Sequence, residues 1–335
     1  MGLINDKIAL TVIVPFLISA ACSVFVSKFG HKIALVDKPN ERSSHSQPIP
    51  RGGGIGIWIS FMIFGFFIIK DMAFVLIVSA AGLLGFFEDS FSLPSKVRLM
   101  IQFVIATAAV WLLLGLPASV LSAILFLFWI VFVTGTANFY NFMDGINGIA
   151  GLTGAIGFGL LMFFSFFIAK EPDIAIMSIS LLSACAGFLP FNVPKAKVFM
   201  GDAGSVFLGF VFAAFVVKLS ADIRSFLCLI MFLNTFYADA LITIFYRWKR
   251  GENLMKAHRS HLYQYLSNEL KLPHWLVSSI YAVLQLGFGL FAVFAYNKGI
   301  IWQLSVLGIF GILFLALYKI IKNISPKLEK QRLYA

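Results

Sequence analysis

Long apolar runs, broken by short polar stretches, set the reading of this chain. Runs long enough to cross a hydrocarbon core of ~30 Å fall at 8–29, 54–70, 72–87, 99–116, 118–137, 149–169, 174–191, 204–219, 223–246, 276–296 and 300–321. They predict an all-α, polytopic membrane protein of about eleven transmembrane helices, one integral domain over residues 1–335. Only Lys70-Asp71 divides the second run from the third, and Gly115-Leu-Pro117 marks the turn between the fourth and fifth. The connecting loops on one side fall at about 30–53, 88–98, 138–148, 192–204 and 247–275. The last of these is expected to carry a short amphipathic helix through Leu262, Tyr265, Leu266 and Leu270, resting on the membrane surface.

The basic residues orient the pattern. Of 26 Lys and Arg, 20 fall in or beside the loops of that side and in the C-terminal tail, and six on the other. Positive loops stay in the cytoplasm, which predicts a periplasmic N-terminus, a cytoplasmic C-terminus and a bacterial inner-membrane location. From Ser325 onward the chain reads as a basic, solvated tail. Ser19-Ala-Ala-Cys22 is superficially like a lipoprotein cleavage site, but the apolar run continues past it, so it reads as part of an uncleaved first span.

Composition agrees and narrows the classes. The 335 residues are 60% hydrophobic and 12% charged, with 38 phenylalanines, where a soluble domain has nearer a quarter charged. The net charge of +11 is accounted for by the cytoplasmic loops, and no soluble basic domain exists to carry a nucleic-acid function. Cys22, Cys185 and Cys228 lie scattered in apolar runs and form neither a disulfide framework nor a metal spacing.

Four polar stretches sit at the cytoplasmic mouths of the spans. Phe199-Met-Gly-Asp202-Ala-Gly-Ser205 combines a tight turn with Ser205 as the expected N-cap of the following helix. A helix N-terminus there offers free N–H groups to an anion at Gly204 and Ser205, and Asp202 is a hard oxygen ligand suited to a Mg²⁺ shared with phosphates. Asn138, Asn141 and Asp144 recur at i, i+3 and i+6, with Asn147 following, as a set of metal and base-edge ligands or an interhelical hydrogen-bond cluster. Glu88-Asp89 pairs two carboxylates that need a metal, a cation or a raised pKa beside them. His258-Arg-Ser-His261 lacks further ligands for zinc and fits a cationic pocket for a diphosphate, with Arg259 and the imidazoles as donors. Asp239, alone inside a span, costs about 2.5–3.5 kcal/mol unless paired, and Arg247 is its nearest cation toward the C-terminal end of that span. Together these point to phosphoryl transfer between a soluble nucleotide donor and a lipid phosphate.

Those residues resemble the polyprenyl-phosphate N-acetylhexosamine-1-phosphate transferases, glycosyltransferase family 4, over residues 37–266. The matching stretches are Asp37-Lys-Pro-Asn-Glu-Arg42-Ser-Ser-His45 with Pro50-Arg-Gly-Gly53, 138–148, the run from Asn192 to Ser205, and 258–266. His258-Arg-Ser-His261-Leu-Tyr-Gln264 is closer to the branch that initiates O-antigen or capsule synthesis than to the peptidoglycan translocase. The resemblance implies that Asp202 and Asn141 hold Mg²⁺, for which Mn²⁺ could substitute, on the donor diphosphate. It implies that Phe199 stacks on uracil beside Asn147, that Asp89, with Glu88, handles the lipid phosphate, and that Asp144 supports the metal or donor. Arg98, His258, Arg259 and His261 would neutralise phosphates, and Asn138 would complete the substrate-binding set. This chain departs from the family in having Glu at 88, Asn at 147 and Arg at 98.

The expected reaction transfers a sugar-1-phosphate from a UDP-N-acetylhexosamine to undecaprenyl phosphate, releasing UMP, in O-antigen or other cell-surface polysaccharide synthesis. The sugar (GlcNAc, QuiNAc or FucNAc type) is left open, and a homodimer is compatible with the Phe-rich surface. The rival class is a transporter or lipid-linked flippase. It would require charges near the bilayer midplane and repeat symmetry, of which only Asp239 is visible.

Overall fold

The protein is described here from a computed structural model, which covers residues 2–32, 35–37, 39, 47–69, 71–91, 93–254 and 258–333, with the backbone alone for 2–8 and 325–333. Each of the eleven apolar runs is helical. The helices are α1 (Gly2–Phe29), α2 (Ile55–Ile68), α3 (Met72–Phe91), α4 (Ser95–Leu114), α5 (Val120–Phe142), α6 (Ile149–Phe163, continued by a π-helical turn Phe164–Ala169), α7 (Pro172–Asn192) and α8 (Asp202–Leu219). They are followed by α9 (Ile223–Ile230), a 3₁₀ turn (Met231–Leu233), α10 (Asn234–Lys249), α11 (Leu262–Gln264, continued by a π-helical turn Tyr265–Glu269), α12 (His274–Tyr296) and α13 (Ile300–Leu333). Among the described residues ten helical segments are long and apolar enough to span a bilayer. The exception is α2, whose 14 residues reach only about 21 Å at 1.5 Å per residue. It starts after the turn at Gly52 (φ +99°) and leaves the helix at Ile69, which is extended.

The first long loop holds a small antiparallel pair, β1 (Val36–Asp37) and β2 (Ile49–Pro50). The expected motif at Arg42 and His45 lies outside the described residues. The expected single span 223–246 is broken at the 3₁₀ turn between α9 and α10. Asn234 Nδ2 donates to the Met231 carbonyl at 2.7 Å and to the Gln285 carbonyl at 3.2 Å. Helix breaks at membrane depth persist only where such groups are satisfied inside the protein.

The helix ends also differ from the expected boundaries. Glu88 and Asp89 stand in the last turns of α3, Arg98 in the first turn of α4, and Asn138 and Asn141 at the end of α5. A helix continues past its apolar run when neighbouring elements satisfy its polar side chains, so hydropathy alone places these ends too early. Residues 262–269 do not rest on a membrane surface: Leu262, Tyr263 and Leu266 are buried in the core. Beyond Ser325 the backbone remains helical to Leu333.

At the centre lies α8, which packs between α3 and α5 and whose side chains are buried almost throughout. A helix apolar on every face is a helix enclosed by others. Small residues let the neighbours approach. A Cβ at Gly209 would lie 2.8 Å from the Ala137 Cα, and one at Gly85 would run into the Asp202 carbonyl oxygen and lie 2.6 Å from the Ala203 nitrogen. The Gly85 contact is to backbone, which cannot step aside as a flexible side chain would. Gly85→Ala is therefore expected to push the start of α8 off α3, lowering the unfolding midpoint in detergent together with any activity; an unchanged midpoint would contradict this packing.

Candidate active site

The site is built around the start of α8. Gly201 (φ +74°) makes the turn into the helix, a conformation that L side chains rarely adopt. The helix begins at Asp202, three residues before the expected start, so Ser205 is not its N-cap. Ser205 lies one turn in, donating to the Gly201 carbonyl at 3.1 Å. The cap comes from α3. The backbone amides of Asp202 and Ala203 donate to Asp89 Oδ1 and Oδ2, each at 3.0 Å. A carboxylate here satisfies free N–H groups and meets the positive end of the helix dipole. Arg51 covers it from the other side, with Nη2 donating to the Asp89 carbonyl at 2.6 Å and Nε 3.8 Å from Oδ1.

The Asp202 side chain faces the other way. Its Oδ2 accepts from Arg98 Nη1 at 3.1 Å and its Oδ1 from Asn141 Nδ2 at 2.8 Å. Arg98 also reaches Glu88 Oε1 at 3.5 Å, and Glu88 Oε2 accepts the Leu93 amide at 2.9 Å. Asn141, expected beside Asp202 as a metal ligand, thus meets it as a hydrogen-bond donor and also donates to Ser205 Oγ at 3.0 Å. Asn138 Nδ2 donates to Gln102 Oε1 at 2.5 Å and to the Thr134 carbonyl at 2.8 Å. Asp144, in the turn after α5, is held well above the ordinary carboxylate range by burial first and then by the charges of Asp202, Asp89 and Asp37. Gly204 is buried, and a Cβ on it would come within 2.7 Å of the Gly54 Cα; its role is close backbone approach.

A cavity of about 530 Å³ opens beside this cluster, lined among others by Arg98, Asn138, Asn141, His258 and His261. All four polar stretches therefore converge on one region. His258 is pushed down to about 3, by burial first and then by His261 and Arg247. Arg259 lies 3.8 Å from Glu269 and does not line the cavity. Phe199 and Asn147 do not line it either. Phe199 is fixed against the 50–53 turn, its amide donating to the Pro50 carbonyl at 2.8 Å and its carbonyl accepting from the Gly53 amide at 2.9 Å. Asn147 donates through Nδ2 to the Pro194 carbonyl at 3.2 Å and through its amide to His274 Nδ1 at 3.3 Å.

The pairing expected for Asp239 is corrected. Arg247 donates to Glu252 Oε2 at 2.9 Å and to the Asn253 carbonyl at 2.7 Å, while Asp239 is held by His261, Tyr281 and the amides of Leu262 and Tyr263. Sequence reasoning also missed Arg51 and Gln102. The Pro50-Arg-Gly-Gly53 turn was a signal for the first, and the i+4 spacing from Arg98 a weak one for the second.

A second cavity, of about 640 Å³, lies between α5, the α9–α10 break and α13. Its wall is almost wholly apolar and includes Phe128, Phe132, Phe226 and Leu307. Val131 and Gly135 line both cavities.

Helices of membrane-spanning length gathered around buried carboxylates, amides and histidines define a polytopic membrane protein with an enzyme-like site. The profile of glycosyl transferase family 4 matches residues 71–220, which include Glu88, Asp89, Asn141 and Asp202. The chain is 27% identical over 215 residues to an undecaprenyl-phosphate alpha-N-acetylglucosaminyl 1-phosphate transferase of Thermotoga maritima, covering 63% of this chain and 65% of the relative. It is 27% identical to a probable undecaprenyl-phosphate N-acetylglucosaminyl 1-phosphate transferase of Bacillus subtilis (78% of each chain). It is 30% identical to a phospho-N-acetylmuramoyl-pentapeptide-transferase of Bacillus thuringiensis, over 66% of this chain and 78% of the relative. The chain belongs to glycosyl transferase family 4.

The two members of the acidic pair are predicted to behave differently. Asp89→Asn places an NH₂ against one of the two capping amides and should cost about 1–3 kcal/mol of stability. Glu88→Gln, at 17% side-chain exposure, keeps an acceptor for the Leu93 amide and loses only a 3.5 Å contact to Arg98, so it should cost less than Asp89→Asn. Unfolding midpoints of the two variants in detergent check the contrast, and equal losses would contradict it.

Proposed function

We propose that this protein transfers an N-acetylhexosamine-1-phosphate from a UDP-sugar to undecaprenyl phosphate, giving undecaprenyl-diphosphate-sugar and UMP. The observation that carries this reading is the pair of adjoining cavities. One is lined by an arginine, amides and histidines beside the carboxylates of Glu88 and Asp202. The other is apolar and suits a polyprenyl chain, and the two share part of the wall of α5. A soluble phosphate donor and a lipid phosphate need such an arrangement. Relatives whose names specify undecaprenyl-phosphate N-acetylglucosaminyl 1-phosphate transfer support it.

In this reading an oxygen of the lipid phosphate attacks the sugar-linked phosphorus of the donor in line. The bond from that phosphorus to the bridging oxygen breaks, and UMP leaves with the oxygen. Mg²⁺ is commonly held by one or two carboxylates together with substrate phosphates, and Asp202 places one carboxylate beside the cavity. Asp202 would be its protein ligand, exchanging its contact with Arg98 for the metal, with Asn141 bracing the carboxylate. When bound, Mg²⁺ would offset the charge of the donor diphosphate and of the departing UMP.

Arg98 released from Asp202 can then meet a phosphate bidentately. Asp89 gives both carboxylate oxygens to α8 and Glu88 only one to the Leu93 amide, so Glu88 Oε1 is the oxygen of the acidic pair with room to meet the lipid phosphate, and Asp89 acts from behind by holding Asp202 in place. His258 and His261 meet the phosphates from the opposite wall, and the nucleotide role that the resemblance implies for Phe199 and Asn147 would put the uracil beyond the cavity, which neither residue lines. The positive-inside distribution supports a cytoplasmic site in a bacterial inner membrane. The resemblance of His258-Arg-Ser-His261-Leu-Tyr-Gln264 to the O-antigen or capsule-initiating branch is the support for a role at the start of such a surface polysaccharide.

Membranes containing the protein, given undecaprenyl phosphate and a panel of UDP-N-acetylhexosamines, should release UMP with at least one donor, and chelation of Mg²⁺ should stop it. No release with any donor would favour the transporter class. Asp202→Ala should abolish release, by at least about 100-fold, while the protein stays folded in the membrane. Near-normal release from that variant would remove Asp202 as the metal ligand.

A further inference from the structure

Asp239 is wholly buried in α10, yet both of its carboxylate oxygens are fully engaged. Oδ1 accepts from the Leu262 amide at 2.9 Å, from Thr243 Oγ1 at 3.1 Å and from His261 Nδ1 at 3.2 Å. Oδ2 accepts from the Tyr281 hydroxyl at 2.7 Å and the Tyr263 amide at 3.2 Å. An ionised carboxylate only accepts, so the proton on His261 must sit on Nδ1. The other ring nitrogen, Nε2, is also buried and has no hydrogen-bond partner among the described residues. The ring lines the cavity that holds Arg98, Asn138 and Asn141. Leaving such an atom unmatched is unfavourable, a cost that a bound ligand would remove.

The ring is fixed on several sides. It stacks on Tyr263 at 5.7 Å between centroids and lies 6.5 Å from Phe142. Tyr263 in turn donates its hydroxyl to the Phe142 carbonyl at 3.0 Å, which ties the loop to the last turn of α5. A staple that served only to hold the loop would need no unmatched ring nitrogen on a ring that lines a cavity.

We propose that Asp239 is a positioning residue for His261, fixing the imidazole through Nδ1 so that Nε2 is left as the acceptor for a hydroxyl of the bound substrate, such as the P–OH of a singly protonated phosphate. This rests on the phosphate-transfer reading for the nature of the ligand, but the ring geometry does not. Residues that orient a functional histidine typically matter by about 10–100-fold or more.

The test uses the full-length protein and the donor that supports UMP release by the wild type. Asp239→Asn and His261→Asn are each expected to lower kcat by about 100-fold. The double variant should be no worse than His261→Asn alone, because the two act through one atom. A double loss equal to the product of the single losses, or near wild-type turnover by His261→Asn, overturns the proposal. Independently of turnover, ¹⁵N shifts of the His261 ring should report Nδ1 protonated in the wild type and a mixture in Asp239→Asn. A wild-type ring protonated only on Nε2 overturns the proposal even where Asp239→Asn does not fold. Absence of UMP release by the wild type, with Nδ1 protonated, removes the reaction and leaves the pair standing.

Discussion

The carboxylate of Asp89 at the start of α8 is the contact on which the rest of the site depends. A helix enclosed by other helices has no water for its first amides, and each one left unmatched costs about 1–3 kcal/mol. Asp89 supplies acceptors to two of them from a different helix, so one interaction both caps α8 and docks it on α3. The approach is close enough that Gly85 admits no side chain, and Gly201 must take a left-handed turn to bring the amides into line. Because the Asp202 backbone is held from behind, its carboxylate is left facing Arg98 and Asn141. The position of the charged oxygen thus follows from the way the helix is capped.

Much of the fold was legible in the sequence because the bilayer imposes one rule. Every spanning segment must be apolar over its length and satisfy its own backbone, and all eleven runs are helices. The ends were less legible. Glu88, Asp89, Asn138 and Asn141 read as loop residues because hydropathy falls at those positions, whereas the helices carry on through them. The reason is visible in their partners: each meets a polar group from another element, and nothing in local periodicity records that.

Asp239 illustrates the same limit more sharply. Its position inside an apolar run showed that it needed a partner, and Arg247 lay nearest along the helix. Arg247 is instead engaged by Glu252 and the Asn253 carbonyl, and the partners of Asp239 include His261 and Tyr281, 22 and 42 residues on. Likewise, the apolar spacing of Leu262 and Leu266 fits a surface helix as well as a buried one. Only the chain's return over α10 decides between them. The types of residue in the site were readable, and so was their clustering at span ends, but not which backbone amides and side chains hold each of them.

Charge balance explains why the site is arranged with its acids on one wall. Asp144 is held protonated more readily than an ordinary carboxylate by burial and by Asp202, Asp89 and Asp37, so negative charge is already in excess there. Arg98 relieves part of it by bridging Glu88 and Asp202. A bare anionic phosphate would meet repulsion from this wall, whereas one arriving with a divalent cation would not. The opposite wall carries His258 and the fixed ring of His261. In the proposed reaction a phosphate between the two walls would therefore gain most by arriving with a divalent cation, which would favour a diphosphate donor over a free anion and leave the apolar cavity across Val131 and Gly135 to receive the acceptor's tail.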